Sequence, residues 1–435
     1  MRGWMGAALG LAIAASACSW SRFGDVESNA SVVVLTRPGS VKGFGSALAA
    51  LADGDRVLVL VAGAPGGANG AAVFSVGQGE QANTNAFDFG QCTGGGCVVG
   101  RSAAGLARAQ TVGSGLRQAC WFPGWGPADS GGELSLIGGC TEAQQNRLVT
   151  ALAVPAGLTT AGPLRLASDA VTIGAQKSEP AYQSAALVAG SGGKAWLYPP
   201  LSTGFVELVA APAAGDFGDA VAVLRAGGQR RFAVSAPAGG QVFLFDASGT
   251  LMGCFSAAPG FGRTLAAGDV DGDGADELVV AGDAGVLVVS GAAVQAASGG
   301  SCTPAADSAL ATLSCRETAD VSACPGRFGE SIAVGDIDGD GDGEVVVGAP
   351  GMTVRGEANG GAVLVFDVEG DHPDFLTEAR FVASASSGDR LGEAVVFAPQ
   401  SSRDLLVAGA PGAAKAMLFY CSKLLRADQR GSRCR

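Results

Sequence analysis

Apolar residues in this chain fall in short runs of a strand's length, separated by glycine-rich or acidic punctuation. Typical runs are EVVVGAP after Gly343, AVLVFDV ending at Val368, QVFLFD from Gln241, ELVVAGD from Glu277, GVLVVS from Gly285 and LLVAGAPG from Leu405. Runs this short, rich in Val, Leu and Phe and bounded by Gly, Pro and Asp, predict β-strands joined by tight turns.

The runs recur in a fixed order, and repetition of this kind sets the architecture. Each unit has Phe-Gly, a strand of small residues, a turn, an apolar strand ending in Gly-Ala-Pro, a Gly-rich turn and a third apolar strand. The clearest copy runs from Phe328-Gly329 through SIAVGDIDGDGDGEVVVGAP to Pro350, then Gly360-Gly361 and a strand to Val368. Others begin at Phe44-Gly45, with Gly63-Ala64-Pro65, at Phe217-Gly218, with Ser235-Ala236-Pro237, and at Phe261-Gly262. A fifth has Leu391-Gly392 in place of Phe-Gly. Two weaker copies are read from strand pattern alone, one from Gly113 through ELSLIGGC to RLVTALAV and one from Glu179-Pro180 to AWLYP.

With these signatures the chain resembles the FG-GAP repeats of the integrin α-subunit type of β-propeller, over most of residues 31–425. The resemblance implies an all-β, seven-bladed propeller of four-stranded blades. The run SVVVLT at 31–36 stands before the first Phe-Gly, where the other units place a blade's outer strand, and the chain ends soon after AMLFY. The N-terminal strand is therefore expected to complete the last blade and close the ring, leaving no broken blade.

Composition agrees with many turns around a real core: 48% of residues are hydrophobic, 70 are Gly and only 6% are aromatic. The formal charge of -12 disfavours nucleic acid, whose phosphates require concentrated Lys and Arg. Ten carboxylates lie in two windows without a base, 269–277 and 336–344, and without them the charge is -2. The acidity belongs to two sites.

Both windows read D-x-D-G-D-G-x-x-E. Alternate carboxylates on a loop curled by glycine converge on one point, and Ca2+ takes six to eight hard oxygens of this kind, a backbone carbonyl at the seventh position among them. The expected ligands are Asp269, Asp271, Asp273 and Glu277 with the Ala275 carbonyl, and Asp336, Asp338, Asp340 and Glu344 with the Asp342 carbonyl. An EF-hand would carry Glu at the twelfth position, but Val280 and Val347 stand there, and the flanks are strands. These are hairpin loops as in integrin-type propellers, whose ninth position is usually Asp and here is Glu. The resemblance implies two structural calcium sites that stiffen their blades, on the face opposite the usual ligand-binding face. Asp276 either supports the first loop from behind its ligands or, as the simpler expectation, faces water.

The start of the chain reads as an export signal, with Arg2 followed by an apolar stretch from Trp4 to Ala15 that is too short to span a bilayer. Ala15-Ser16-Ala17-Cys18 resembles a bacterial lipobox, in which Cys18 is lipidated; Ala15-x-Ala17 also suits ordinary signal peptidase, which leaves a secreted protein. Giving Cys18 to a lipid leaves an even ten of the 11 cysteines, as disulfide pairing in an exported protein requires. Ser19 after the Cys implies outer-membrane sorting. The organisation is then 1–17 signal peptide, 18–30 lipidated Cys and linker, 31–425 propeller and 426–435 basic tail. Proximity pairs Cys92 with Cys97, Cys120 with Cys140, Cys315 with Cys324 and Cys421 with Cys434, leaving Cys254 for Cys302, although sequence alone does not fix connectivity.

Catalytic groups are sparse. His372, the lone His, sits in a Gly-Asp-His-Pro turn, and no nucleophile is singled out for it. The functional expectation is a monomeric binding, adhesion or scaffolding module for protein or glycan at the cell envelope. The alternative is a polysaccharide-directed hydrolase or lyase with its site in blade-top loops. Three features invite binding: the polar insert 77–112, the Trp121-to-Trp125 turn and the basic tail from Lys423.

Overall fold

The structure, a computed structural model, describes residues 31–36, 43–53, 56–62, 71–77, 83–88, 106–110, 117–121, 124–127, 134–137, 148–152, 165–168, 187–191, 193–199, 205–211, 216–315, 317, 321–337, 341–368, 376–381, 386–398 and 404–420. The described residues are almost wholly β, in antiparallel sheets that follow one another along the chain. No helix among them is long and apolar enough to cross a membrane.

Five of the predicted repeats each form a sheet, named here by the signature residue. The Phe44 sheet holds Ala47–Asp53, Arg56–Ala62, Ala71–Gly77 and Asn83–Asp88. The Phe217 sheet holds Val221–Ala226, Gln229–Ala236, Gln241–Phe245 and Leu251–Ser256. The Phe261 sheet is Thr264–Gly268, Glu277–Gly282, Gly285–Val289 and Ala309–Leu313. The Phe328 sheet is Ser331–Gly335, Glu344–Ala349, Ala362–Val368 and Leu376–Phe381. The Leu391 sheet takes Ala394–Ala398, Leu405–Ala410 and Lys415–Tyr420 from the end of the chain and Ser31–Thr36 from its start. That last pair is antiparallel and in register from Ser31 opposite Tyr420 to Thr36 opposite Lys415.

A sixth four-stranded sheet, the Trp196 sheet, comprises Arg165–Ser168, Leu187–Ser191, Lys194–Tyr198 and Val206–Leu208. Its first strand lies upstream of Glu179, where the weaker copy was expected to begin. Between it and the Phe44 sheet stand the pair Leu106–Gln110 and Arg117–Trp121 and the three strands Gly124–Pro127, Leu134–Ile137 and Leu148–Leu152. The polar insert expected over 77–112 thus contains Asn83–Asp88, the fourth strand of the Phe44 sheet, and Leu106–Gln110.

The first strands of successive sheets lie side by side. Ala47–Asp53 touches Leu106–Gln110 on one side and Ala394–Ala398 on the other. From there the contacts run to Ser331–Gly335, Thr264–Gly268, Val221–Ala226 and Arg165–Ser168. Four-stranded sheets whose first strands stand together are the architecture of a β-propeller. Each second strand is then covered by sheets on both faces, and Glu277–Gly282, Glu344–Ala349 and Leu405–Ala410 are buried at every residue.

The Phe-Gly signature has a physical reason at this packing. Phe44, Phe217, Phe261, Phe328 and Leu391 are all buried. Phe44 meets Phe74, Phe217 meets Phe243 and Phe328 meets Phe366 edge-on, at 6.2, 5.7 and 5.9 Å, each on the third strand of its own sheet. Burying one such ring contributes on the order of 2–3 kcal/mol. The following glycine has φ of +85° to +100° in all five copies, a region costly for other residues. It also sits where its sheet meets the preceding one: a Cβ on Gly218 would overlap the Lys194 carbonyl, and one on Gly329 would come within 2.8 Å of the Ala281 side chain. A Cβ on Gly45 would overlap the Lys415 carbonyl of the Leu391 sheet.

One excursion breaks the regular meander. Between Gly285–Val289 and Ala309–Leu313 the chain forms the short helix Gly291–Ala296, then the strand Cys302–Pro304, which pairs in parallel with Leu251–Ser256 as a fifth strand of the Phe217 sheet. A Cys254–Cys302 disulfide holds it there. Cys315 pairs with Cys324. Both bridges follow the expected pairing; Cys92, Cys97, Cys140, Cys421, Cys434 and the side chain of Cys120 lie outside the described residues.

Candidate metal centre

Phe-Gly precedes the first strand of the Phe261 and Phe328 sheets and an Asp-rich loop follows it in each, so the two signatures occupy opposite ends of these sheets. The first loop joins Thr264–Gly268 to Glu277–Gly282. Gly272 and Gly274, with φ of +70° and +85°, curl it, and the carboxylates of Asp269, Asp271 and Asp273 converge, their nearest oxygens all within 4.8 Å of one another. Local bonds fix the curl: Asp269 Oδ2 accepts from Gly274 N at 2.9 Å, Asp271 Oδ1 from Asp273 N at 3.2 Å, and Asp273 Oδ1 from Ala275 N at 2.7 Å.

Three features suit this trio to a hard divalent cation. The donors are carboxylate oxygens, the ligand type that such ions select. Asp269 Oδ1 is buried and has no hydrogen-bond partner, an arrangement that costs free energy unless something else satisfies the atom. The Asp271 carboxyl is held above the usual carboxylate range by burial, with the charges of Asp273 and Asp269 adding to it. A cation among the three would relieve all of these costs.

Glu277, an expected ligand, has hydrogen-bond partners of its own in the structure. It lies outside the trio, fully buried, with Oε2 accepting from Val270 N at 2.9 Å and Oε1 from Gly291 N at 2.7 Å. The longer arm of Glu, compared with the Asp usual at this position, carries the carboxylate to backbone donors. It ties the loop to the start of the short helix. Burial pushes its pKa up to about 7, against the pull of the Val270 and Gly291 N–H groups. Ala275 is buried, and its carbonyl oxygen lies beside Gly291.

The second loop repeats these relations where it is described. Asp336 Oδ2 accepts from Gly341 N at 3.2 Å, as Asp269 does from Gly274. Glu344 Oε2 accepts from Ile337 N at 2.6 Å, as Glu277 does from Val270, so this ninth-position Glu also serves a backbone donor. Asp342 places its carboxylate against Gly272 of the first loop. Asp338 and Asp340 lie outside the described residues, as do Cys18, His372 and the basic tail.

Asp276, expected to face water, is instead half-buried. Its Oδ2 accepts from Arg225 N at 2.7 Å and its own N–H donates to the Arg225 carbonyl at 2.7 Å. Burial raises its pKa despite the Arg225 hydrogen bond. Only the register of two neighbouring hairpins reveals this contact.

The opposite end carries paired charges. Arg327 bridges Glu330 and, on the next sheet, Glu393 at 3.1 Å. Lys415 reaches Asp389 at 3.6 Å, and Arg263 pairs with Asp283 at 2.6 Å. The side chains of Trp121 and Trp125, on paired-strand segments, are outside the description.

Residues 328–366 match the family model for the FG-GAP repeat. This is the copy with the fullest signature, and it contains the second Asp loop. The search of curated proteins returns no match. Among solved structures the chain is similar to BBS1N in complex with ARL6DN, soaked with lead, with TM-score 0.49 and 11% identity over 93% of this chain and 99% of that chain. It is likewise similar to the same complex soaked with mercury, with TM-score 0.46 and 10% identity over 90% and 98%.

Proposed function

We propose that this chain is an exported, lipid-anchored β-propeller braced by Ca2+, which serves as a binding or scaffolding platform for protein or glycan at the bacterial cell envelope. The observation that carries the reading is the way the Asp269, Asp271 and Asp273 trio is built into its loop. Its carboxylates are tied to loop amides, the buried Asp269 oxygen is left for a cation, and the neighbouring loop packs against it. A cation held so is a brace for two blades, and the ligand surface is left to the Phe-Gly end, with its ion pairs. Export is supported by the signal-like start and anchoring by Cys18 with the cysteine parity.

The propeller has seven blades in this reading, the strands from Leu106 to Leu152 making up the one between the Phe44 and Trp196 sheets. Pairing of Ser31–Thr36 with Lys415–Tyr420 and the seat of Gly45 on the Leu391 sheet support closure of the ring. The reading assigns no catalytic role.

A pull-down from detergent-solubilised envelope with and without Ca2+ tests the function. A stoichiometric protein partner or enriched glycan is expected, with recovery reduced by chelation. Hydrolysis or cleavage of envelope polysaccharide by the purified chain, with no retained ligand, would replace the platform by an enzyme.

A further inference from the structure

At the loop end, the residue just before the second strand reaches back to the preceding hairpin in three sheets. Asp276 does so twice, by its N–H to the Arg225 carbonyl and by its Oδ2 to the Arg225 N–H. Asp404, immediately before Leu405–Ala410, treats Asp336 in the same way: its N–H donates to the Asp336 carbonyl at 2.5 Å and its Oδ2 accepts from Asp336 N at 3.2 Å. Gly343 holds the equivalent position between them and donates its N–H to the Asp269 carbonyl at 2.8 Å.

These bonds join into one path across four sheets. From Asp404 it passes to Asp336, whose carboxylate holds Gly341 N. From Gly343 it passes to Asp269, whose carboxylate holds Gly274 N. From Asp276 it ends on Arg225. The bonded peptide groups belong to Asp336 and Asp269, the first carboxylate residues of the two loops. A rotation of either peptide therefore displaces the carboxylate attached to it.

We infer that the two Asp loops open and order as a single unit, with Asp276 and Asp404 acting as latches between neighbouring sheets and Gly343 as the link between the loops. A contiguous hydrogen-bonded network is the physical route by which one local opening changes the free energy of another. The coupling rests on hydrogen bonds within the chain and does not depend on the calcium reading.

Hydrogen–deuterium exchange on the full chain in EGTA tests it, comparing wild type with Asp404→Ala, Asp404→Asn and Gly343→Ala. Asp404→Ala should speed exchange at Asp336 by about tenfold, the scale of one lost charge-assisted hydrogen bond. It should also speed exchange at Gly274 and Gly343, in or facing the first loop. Asp404→Asn keeps an acceptor oxygen and should restore both. Gly343→Ala, whose Cβ would come within 2.6 Å of the Asp269 carbonyl, should loosen the first loop while the Asp336–Asp404 latch stays protected. Acceleration confined to Asp336 in Asp404→Ala, with Gly274 at its wild-type rate, would overturn the coupling. If Asp404→Ala does not fold, Gly343→Ala decides alone: an unchanged first loop refutes the link.

Discussion

The two ends of the sheets are joined by different physics. At the Phe-Gly end, neighbouring sheets meet through shape: a buried ring, a glycine in a left-handed conformation and a backbone carbonyl where a side chain would begin. At the Asp-loop end they meet through polar bonds among carboxylates and peptide groups, with a trio of negative charges held close together. The ring-and-glycine contact, beside which the ion pairs of that end lie, is insensitive to solution conditions and intolerant of added atoms. The second depends on protonation and, in the proposed reading, on cations, but leaves space, as at Gly274, where a Cβ would meet nothing within 4 Å.

A matched pair of substitutions exposes this difference most strongly. Gly45 and Gly274 both have positive φ, +100° and +85°, so Ala is strained at either by about 1–2 kcal/mol. Only Gly45→Ala also drives a Cβ into the Lys415 carbonyl, and its total cost should reach about 4 kcal/mol, in the range of severe core defects. Denaturant unfolding of both variants checks this. Equal, mild losses would mean that the Gly45 contact between chain start and chain end is not tight.

A smaller effect should come from pH, through Glu277 at the loop end. Glu277 is held near 7 in the folded protein against an ordinary 4.5. Between those values the native state binds more protons than the unfolded chain, so its stability falls as pH rises. The melting temperature of the cation-free protein is expected to decline from pH 5 to pH 8, the contribution being intact below 4.5 and lost through 7. Glu277→Gln should flatten this slope even though one of its two backbone donors loses its acceptor. An unaltered slope in that variant would assign the pH dependence elsewhere.

The same contrast explains what could be read in the sequence. Phe-Gly, Gly-Ala-Pro and the alternating Asp positions were legible because each is imposed by local geometry and repeated. The strand Asn83–Asp88 was not, since NTNAFD has no apolar run; it is a strand because Ala71–Gly77 supplies a partner edge. Arg165–Ser168 was missed for the same reason. The backbone bonds of Glu277 were not legible because spacing places a carboxylate in the loop without indicating that Val270 and Gly291 present buried N–H donors to it. Asp276 and Asp404 were unreadable because their partners belong to the hairpin of another sheet.

The central claim is that the loop end is a cation brace, and thermal unfolding with Ca2+ or EGTA tests it most directly. An ion that binds only the native state at a hundred times its Kd adds about 2.7 kcal/mol. The melting temperature of the wild type should therefore rise with Ca2+, and Asp271→Asn should lose most of that rise while keeping the fold. A wild-type transition that does not move with Ca2+ would contradict the account.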